Sequence, residues 1–133
     1  MDGTSALIAK KTLIVGAVLM LLSVILGAIG SHAVKEIYPE YFHSYQTGVY
    51  YQTLHALAIL WLGVLIHLKF IHWGKYILAL FIIGILLFSG SLYLYTLSGG
   101  IKSFIHITPW GGFTFIVTWI IVIIDIAKGG MSA

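Results

Sequence analysis

The sequence predicts an all-α membrane protein, a four-helix transmembrane bundle, from its composition and from the placement of its charges. Of the 133 residues, 60% are hydrophobic and only 8% are charged. The charged residues all lie at or near the ends of four uncharged runs, which cover residues 12–34, 41–68, 76–101 and 103–124. A membrane-spanning helix needs about 20 mainly apolar residues, and hydrocarbon offers the backbone no hydrogen-bond partner. Each run is therefore predicted to be a spanning helix.

The four spans are predicted at about 12–33, 45–68, 76–97 and 110–127. They use most of the chain, so residues 1–133 are predicted to form a single transmembrane domain. Two lysines followed by an apolar run also occur in signal peptides. The hydrophobic core of a typical signal peptide has only about 7–15 residues, however, and the apolar run here is longer. It is therefore interpreted as a retained span.

The connection between the first two spans is predicted to be a short interfacial segment on the outer leaflet. Residues 38–45 contain four aromatic rings, which favour the headgroup region of a bilayer, and Pro39 suits the first turn of a short helix. Trp73 and Trp110 are interpreted as similar anchors at the two boundaries. The loop 69–75 is short, so the second and third spans are predicted to form an antiparallel hairpin.

The distribution of lysines predicts the orientation of the bundle. With four spans, both termini and the loop between the second and third spans share one side of the membrane. That side carries Lys10, Lys11, Lys69, Lys75 and Lys128, and the opposite side carries Lys35 and Lys102. An excess of lysine marks the cytoplasmic side, so both termini are predicted to be cytoplasmic. Because the lysines are dispersed over helix ends, the pI near 9.2 is not interpreted as nucleic-acid binding.

The residue types present argue against several classes of chemistry. The chain has no cysteine, which excludes disulfides, thiol catalysis and iron–sulfur ligation. Histidines and acids do not have the spacing of a metal site, and no two intramembrane histidines share the depth that a haem needs. No nucleophile–base pair or phosphate-binding loop is evident. The sequence therefore predicts no catalytic residue, no metal and no cofactor, and the protein is expected not to be an enzyme.

Small residues predict where helices pack closely. The candidates are Gly16, Ser23, Gly27 and Gly30 in the first span and Gly111 and Gly112 in the fourth. At 100° per residue, the four candidates in the first span fall within about 60° of one another. Small side chains let helix backbones approach within lipid, so this face is predicted to contact a neighbouring helix.

Polar residues from all four spans are predicted to share the outer half of the bundle. This candidate cluster consists of His32, Gln52, His55, Ser89, Ser91, Tyr93 and Thr108. His55 is placed nearest the middle of the bilayer, about 10–15 Å along its helix from the outer boundary, where an ionisable group is a functional hypothesis by default. It either contacts a ligand or only hydrogen-bonds a neighbouring helix. His32 faces either the bundle or the headgroups.

Loss of hydration disfavours a charged imidazole, so His55 is predicted to be neutral at pH 7. Tyr51 and Gln52 are expected to orient the ring, and the expected partners on the next helix are Ser89, Ser91 and Tyr93. The four other histidines are interpreted as interfacial: His43, His67, His72 and His106. Asp125 is expected to form an ion pair with Lys128, its i+3 neighbour.

Four motifs, one in each span, resemble the YgdD-type family of small membrane proteins. They are GAIGSHA at 27–33, YQTLHAL at 51–57, FSGSLY at 88–93 and TPWGG at 108–112. Two residues depart from the family pattern, since Ser31 stands where the family usually has alanine and Trp110 where it has a smaller apolar residue. The resemblance implies a bacterial inner-membrane protein with four spans. It implies no activity, because the function of the family is unknown.

Three functions remain open from the sequence. The first is a non-enzymatic accessory or envelope-modulating protein that binds a larger membrane partner, because glycine-rich faces suit helix association. The expected partner is another membrane protein or a second copy of the chain in a homo-oligomer. The second is a binder of a lipid, quinone or other hydrophobic ligand in an outer-leaflet pocket near His55, Tyr93 and Trp110. The third is an oligomeric transporter or channel for a small solute, for which no intramembrane acid is available to couple protons.

Overall fold

The computed structural model describes residues 3–129, and four long helices account for most of them. α1 spans Gly3–Ile37 and α3 spans Gly74–Leu97. α2 spans Phe42–His67 and follows a 3-10 turn at Pro39–Tyr41, and α4 spans Thr108–Lys128 and follows a short helical segment at Lys102–Ile105. Each of the four helical stretches is long and apolar enough to cross a membrane, which confirms the predicted four-helix transmembrane bundle.

The helices are longer than the predicted spans. α1 begins at Gly3 rather than near residue 12, so Lys10 and Lys11 lie inside the helix. Both side chains are exposed. A lysine carries a long apolar stem that lets its ammonium reach the interface while its backbone stays helical. Hydropathy therefore located the apolar part of each helix but not the first and last turns.

Two π-helical turns interrupt α1 and α3, at Gly30–Val34 and Leu86–Gly90. A π turn bonds each amide one residue further back than an α turn, and such turns are frequent at functional sites. The extra residue rotates everything that follows around the helix axis. Consequently, Ser89 and Ser91 are both buried although they lie only two residues apart.

Consecutive helices pack against each other. The most extensive packing joins α1 with α2, while α3 packs against both α2 and α4. Two leucine–glycine pairs bring α1 and α2 together, because Leu60 lies over Gly16 and Leu13 lies over Gly63. A Cβ on Gly16 would lie 2.9 Å from Leu60 Cγ, and one on Gly63 would lie 2.7 Å from Leu13 Cγ. Because neither glycine has a side chain, the two backbones can approach each other closely.

The connection between α1 and α2 packs on the connection between α3 and α4. The Tyr41 ring meets the Tyr95 ring edge to face, with centroids 5.3 Å apart, and it covers Gly100. The Thr96 hydroxyl donates to the Tyr41 carbonyl at 3.2 Å. Gly100 has a φ of +94°, which suits glycine, and a side chain there would collide with Tyr41. These contacts fix one end of the bundle, called the α1–α2 end. The opposite end, called the α2–α3 end, holds the loop 68–73.

Candidate functional site

His55 lies in α2, is 2% exposed and uses both ring nitrogens. Its Nδ1 is 2.8 Å from the Tyr51 carbonyl oxygen, and Trp119 Nε1 of α4 is 3.1 Å from its Nε2. A carbonyl only accepts and an indole N–H only donates, so Nδ1 carries the proton and Nε2 accepts. The hydrogen bonds thus hold a neutral imidazole in one tautomer.

The expected partners of His55 on α3 were wrong. Ser89 donates to the Gly48 carbonyl at 2.6 Å and Tyr93 donates to the Gln52 side chain at 2.7 Å, while the histidine ring faces α4 instead. Trp119 was missed because depth alone did not reveal which faces meet. One clue was available, since an indole N–H within hydrocarbon needs an acceptor and His55 is an intramembrane acceptor.

Several aromatic rings pack around His55. The Phe115 ring stacks on it with centroids 3.7 Å apart and planes 9° apart. Phe81 of α3 lies 5.7 Å away and meets Trp119 edge to face at 5.2 Å. His55 therefore joins α2 to α3 and α4, and the hydrogen bonds and the stacking leave its ring no free polar atom.

The predicted polar cluster is divided into separate links between helices. Gln52 connects three helices, because its Nε2 donates to the Leu19 carbonyl of α1 at 2.9 Å while its Oε1 accepts from Tyr93 of α3. The Ser91 hydroxyl pairs with the Thr108 hydroxyl and joins α3 to the start of α4. Every buried side-chain nitrogen and oxygen among residues 3–129 has a partner.

His32 does not belong to this network, contrary to the prediction. Gly30 is buried against the Tyr45 ring, and a Cβ there would lie 2.5 Å from Tyr45 Cε1. His32 follows two residues later on the opposite side of α1, where it is exposed. The helix does not break at Gly30 but continues through the π turn, so His32 remains turned away.

The predicted packing residues differ in how tightly they are enclosed. Gly16, Gly30 and Gly111 have no room for a methyl group, and Gly111 lies directly against the backbone of Phe88. Gly27 and Gly112 have ordinary spacing, since a Cβ on either would lie 3.7 Å from its nearest neighbour. Ser23 is buried and donates to the Met20 carbonyl at 2.8 Å.

Asp125 is buried at the α2–α3 end and does not form the expected ion pair with Lys128. Its Oδ2 accepts from the backbone amides of His72 at 2.9 Å and Trp73 at 2.8 Å. These amides precede α3, where unpaired N–H groups and the helix dipole favour a carboxylate. Lys128 instead places its Nζ 5.8 Å from the Trp73 ring centroid. The aspartate of α4 therefore anchors the start of α3.

Beside His55 lies a groove between α2 and α4 of about 800 Å³, called the α2–α4 groove. Its floor includes His55 and Phe115, and its walls are Leu54, Ala58, Trp61, Ile116, Trp119 and Ile123. Trp61 and Ile123 are each 65% exposed, so the groove opens sideways toward the lipid. No acidic or basic residue apart from His55 lines it. In residues 3–129, no group of three or more His, Cys, Asp or Glu side chains could hold a metal ion.

The chain is similar to small membrane proteins from several bacteria. A family model described as "Protein of unknown function (DUF423)" matches residues 26–112, which contain all four sequence motifs. The UPF0382 membrane protein YwdK of Bacillus subtilis is 38% identical over 122 residues, which cover 90% of this chain and 98% of that relative. The UPF0382 inner membrane protein YgdD of Escherichia coli is 34% identical over 120 residues, which cover 87% and 88%. No solved structure matches the chain.

Proposed function

This chain belongs to the DUF423 family of proteins of unknown function, and we propose that it is a non-enzymatic membrane protein that binds a chain-like hydrophobic ligand in the α2–α4 groove. The ligand is the acyl chain of a lipid or the isoprenoid chain of a quinone or similar carrier. The observation that carries the proposal is the groove itself, which is apolar and opens toward the bilayer.

The polar groups beside the groove support a ligand recognised by its apolar part. Both nitrogens of His55 are already bonded, and the Trp119 indole N–H donates to His55. His55 and Trp119 therefore offer a polar headgroup no unpaired nitrogen, whereas an apolar chain needs no polar partner. A transporter or channel has less support, because the buried polar groups are bonded to each other rather than arranged along a pathway.

The shape of the groove favours a flexible chain over a partner helix. Closely packed transmembrane helices meet through small residues, but bulky side chains such as Trp61, Phe115 and Ile116 line this groove. Its length from Gly112 to Ile123 along α4 is about 16 Å at 1.5 Å per residue, which an extended hydrocarbon chain can follow. A second α-helix, about 10 Å across, would require these side chains to move.

Photocrosslinking tests this assignment. Phospholipids with a photoactivatable acyl chain, and a photoactivatable isoprenoid probe, are each incubated with the purified protein in mixed micelles. We expect crosslinks at Leu54, Ala58 or Ile116, and we expect Ala58→Phe to reduce them by filling the groove. Ala28→Phe, on the exposed face of α1, is the matched control. Crosslinks spread evenly over all exposed helix faces would reject a specific groove.

Association with a larger membrane protein is the second candidate. It is favoured by a recess of about 410 Å³ between α1 and α2, which Gly27, Ser31 and Val49 help to line. The small residues there would admit the backbone of another helix. Affinity purification at native expression in mild detergent tests this role: a specific partner that Gly27→Leu releases would support it, and recovery of the protein alone would count against it.

The proposed location is the bacterial cytoplasmic membrane with both termini in the cytoplasm. YgdD is named an inner membrane protein, and the four spans of this chain place five lysines on one side and two on the other. The positive-inside rule then orients the α2–α3 end toward the cytoplasm.

A further inference from the structure

A second recess, at the α2–α3 end, combines positive charge with an apolar wall. It measures about 330 Å³ and lies between the first turns of α1 and the loop that joins α2 to α3. Lys69, His72 and Lys75 line it together with Ile8, Ile66 and Ile71. It shares no residue with the α2–α4 groove, so an inference about it does not depend on a ligand in that groove and rests only on the proposed cytoplasmic orientation of this end.

The described residues that line this recess include two lysines. Among residues 3–129, no aspartate or glutamate lines it. The nearest described carboxylate, Asp125, is 2% exposed and is bonded to the amides of His72 and Trp73, with His72 Nδ1 3.5 Å from its Oδ1. It is therefore engaged with the start of α3, and within residues 3–129 neither lysine has an acidic partner in the recess. The ligand that this arrangement suits is an anion held by side chains.

The position of the recess favours an anion attached to a hydrocarbon chain. The exposed ring of Tyr76 lines it, as aromatic residues do at the boundary between headgroups and acyl chains. Ile8, Ile66 and Ile71 form the apolar part of its lining. Basic pockets between transmembrane helices on the cytoplasmic side are typical binding sites for anionic lipid headgroups.

Lys69 has a backbone conformation that favours glycine over residues with a side chain. Lys69 donates to the Ile66 carbonyl and Phe70 donates to the Leu65 carbonyl, which is a Schellman ending of α2 with Lys69 in the left-handed position, at φ +65°. The same ending of α3 uses Gly99, the residue type that this position favours. Lysine in place of glycine adds strain, and its ammonium lines the recess.

We infer that this recess binds the phosphodiester headgroup of an anionic phospholipid, with Lys69 and Lys75 as the main charged contacts and the isoleucine wall against the first part of an acyl chain. The start of α3 contributes little, because the Asp125 carboxylate already lies at the two amides that precede it and disfavours a second anion there. The headgroup is therefore held by the two ammonium groups rather than by the helix dipole.

Native mass spectrometry with defined lipids tests the inference. The probes are phosphatidylglycerol and the zwitterionic phosphatidylcholine with identical acyl chains, titrated against the purified protein. We expect the protein to prefer phosphatidylglycerol, and Lys69→Gly and Lys75→Gln to weaken that binding by about fivefold each. Lys102→Gln removes one charge at the opposite end and should leave it unchanged.

Lys69→Gly separates binding from folding. Glycine relieves the left-handed strain, so this variant should melt at the same temperature as the original protein or higher while binding less anionic lipid. Equal affinity for the two lipids in the original protein, or equal losses in Lys69→Gly and Lys102→Gln, would overturn the inference. Displacement of the lipid by millimolar inorganic phosphate would also overturn it, by assigning the recess to a soluble anion.

Discussion

His55 and Trp119 show how one polar pair is accommodated within the hydrocarbon. Each group alone would leave an unpaired donor or acceptor in the bundle, and together they satisfy each other. The histidine also stacks on Phe115, so it contributes to packing as an aromatic ring does. At the scale of the residue, His55 therefore stabilises the floor of the groove. It can contact a ligand only through the face or edge of its ring, because both ring nitrogens are already bonded.

A double-mutant cycle measures this pair. Trp119→Phe removes the donor and His55→Leu removes the acceptor, and we expect the two losses of unfolding free energy to be non-additive, with a coupling of about 0.6–1.7 kcal/mol. The measurement is equilibrium unfolding in detergent for both single variants and the double variant. Strictly additive losses would show that the hydrogen bond makes no contribution.

Gly111 and Gly112 give a matched comparison of two adjacent glycines. Gly111 lies against the Phe88 backbone, whereas Gly112 has ordinary space beside the Phe88 ring. Gly111→Ala should therefore destabilise the bundle by about 1–3 kcal/mol by forcing α3 and α4 apart. Gly112→Ala should change stability by less than about 0.5 kcal/mol. Thermal unfolding of both variants decides this, and similar melting temperatures would contradict the close approach at Gly111.

At the scale of the element, a residue of α4 caps the start of α3. Asp125 accepts two amides that precede α3 and so fixes the loop 68–73 against the bundle. No residue within that loop has a side chain that caps the helix. This carboxylate therefore fixes the loop 68–73 to α4.

Replacing Asp125 tests this dependence. Asp125→Ala should destabilise the protein by about 0.5–2 kcal/mol, the usual cost of losing a helix cap, while Lys128→Gln should have little effect. Unfolding free energies and protease sensitivity of the loop 68–73 are the measurements. If Lys128→Gln lowered the unfolding free energy as much as Asp125→Ala, the result would instead support the ion pair between Asp125 and Lys128 that the sequence predicted.

The elements were predictable from the sequence where one physical rule dominated. The charge-free runs gave the four spans because hydrocarbon excludes charge, and the small residues of α1 gave a face that does contact α2 at Gly16 and Gly30. The partner of His55 was not predictable, because depth along a helix says nothing of angle around it. The π turn at Leu86–Gly90 was a further obstacle, since it rotates Ser91 and Tyr93 away from the positions that a regular helix assigns.

The whole molecule is asymmetric in charge, and this asymmetry predicts its orientation. Single cysteines at Glu36 and at Ser132, which lies outside the described residues, would report the two sides of the membrane. We expect an impermeant thiol reagent applied to intact cells or spheroplasts to label Glu36→Cys but not Ser132→Cys, because lysines are in excess on the side of the termini. Labelling of Ser132→Cys alone would show that the bundle has the opposite orientation.

The central claim is that the α2–α4 groove holds a hydrophobic chain, and native mass spectrometry after gentle extraction tests it most directly. We predict that the purified protein retains a lipid or isoprenoid compound, that Ala58→Phe loses it by filling the groove, and that Ala28→Phe on the exposed face of α1 retains it. A protein that carries no bound amphiphile, or two variants that retain the compound equally, would contradict the claim.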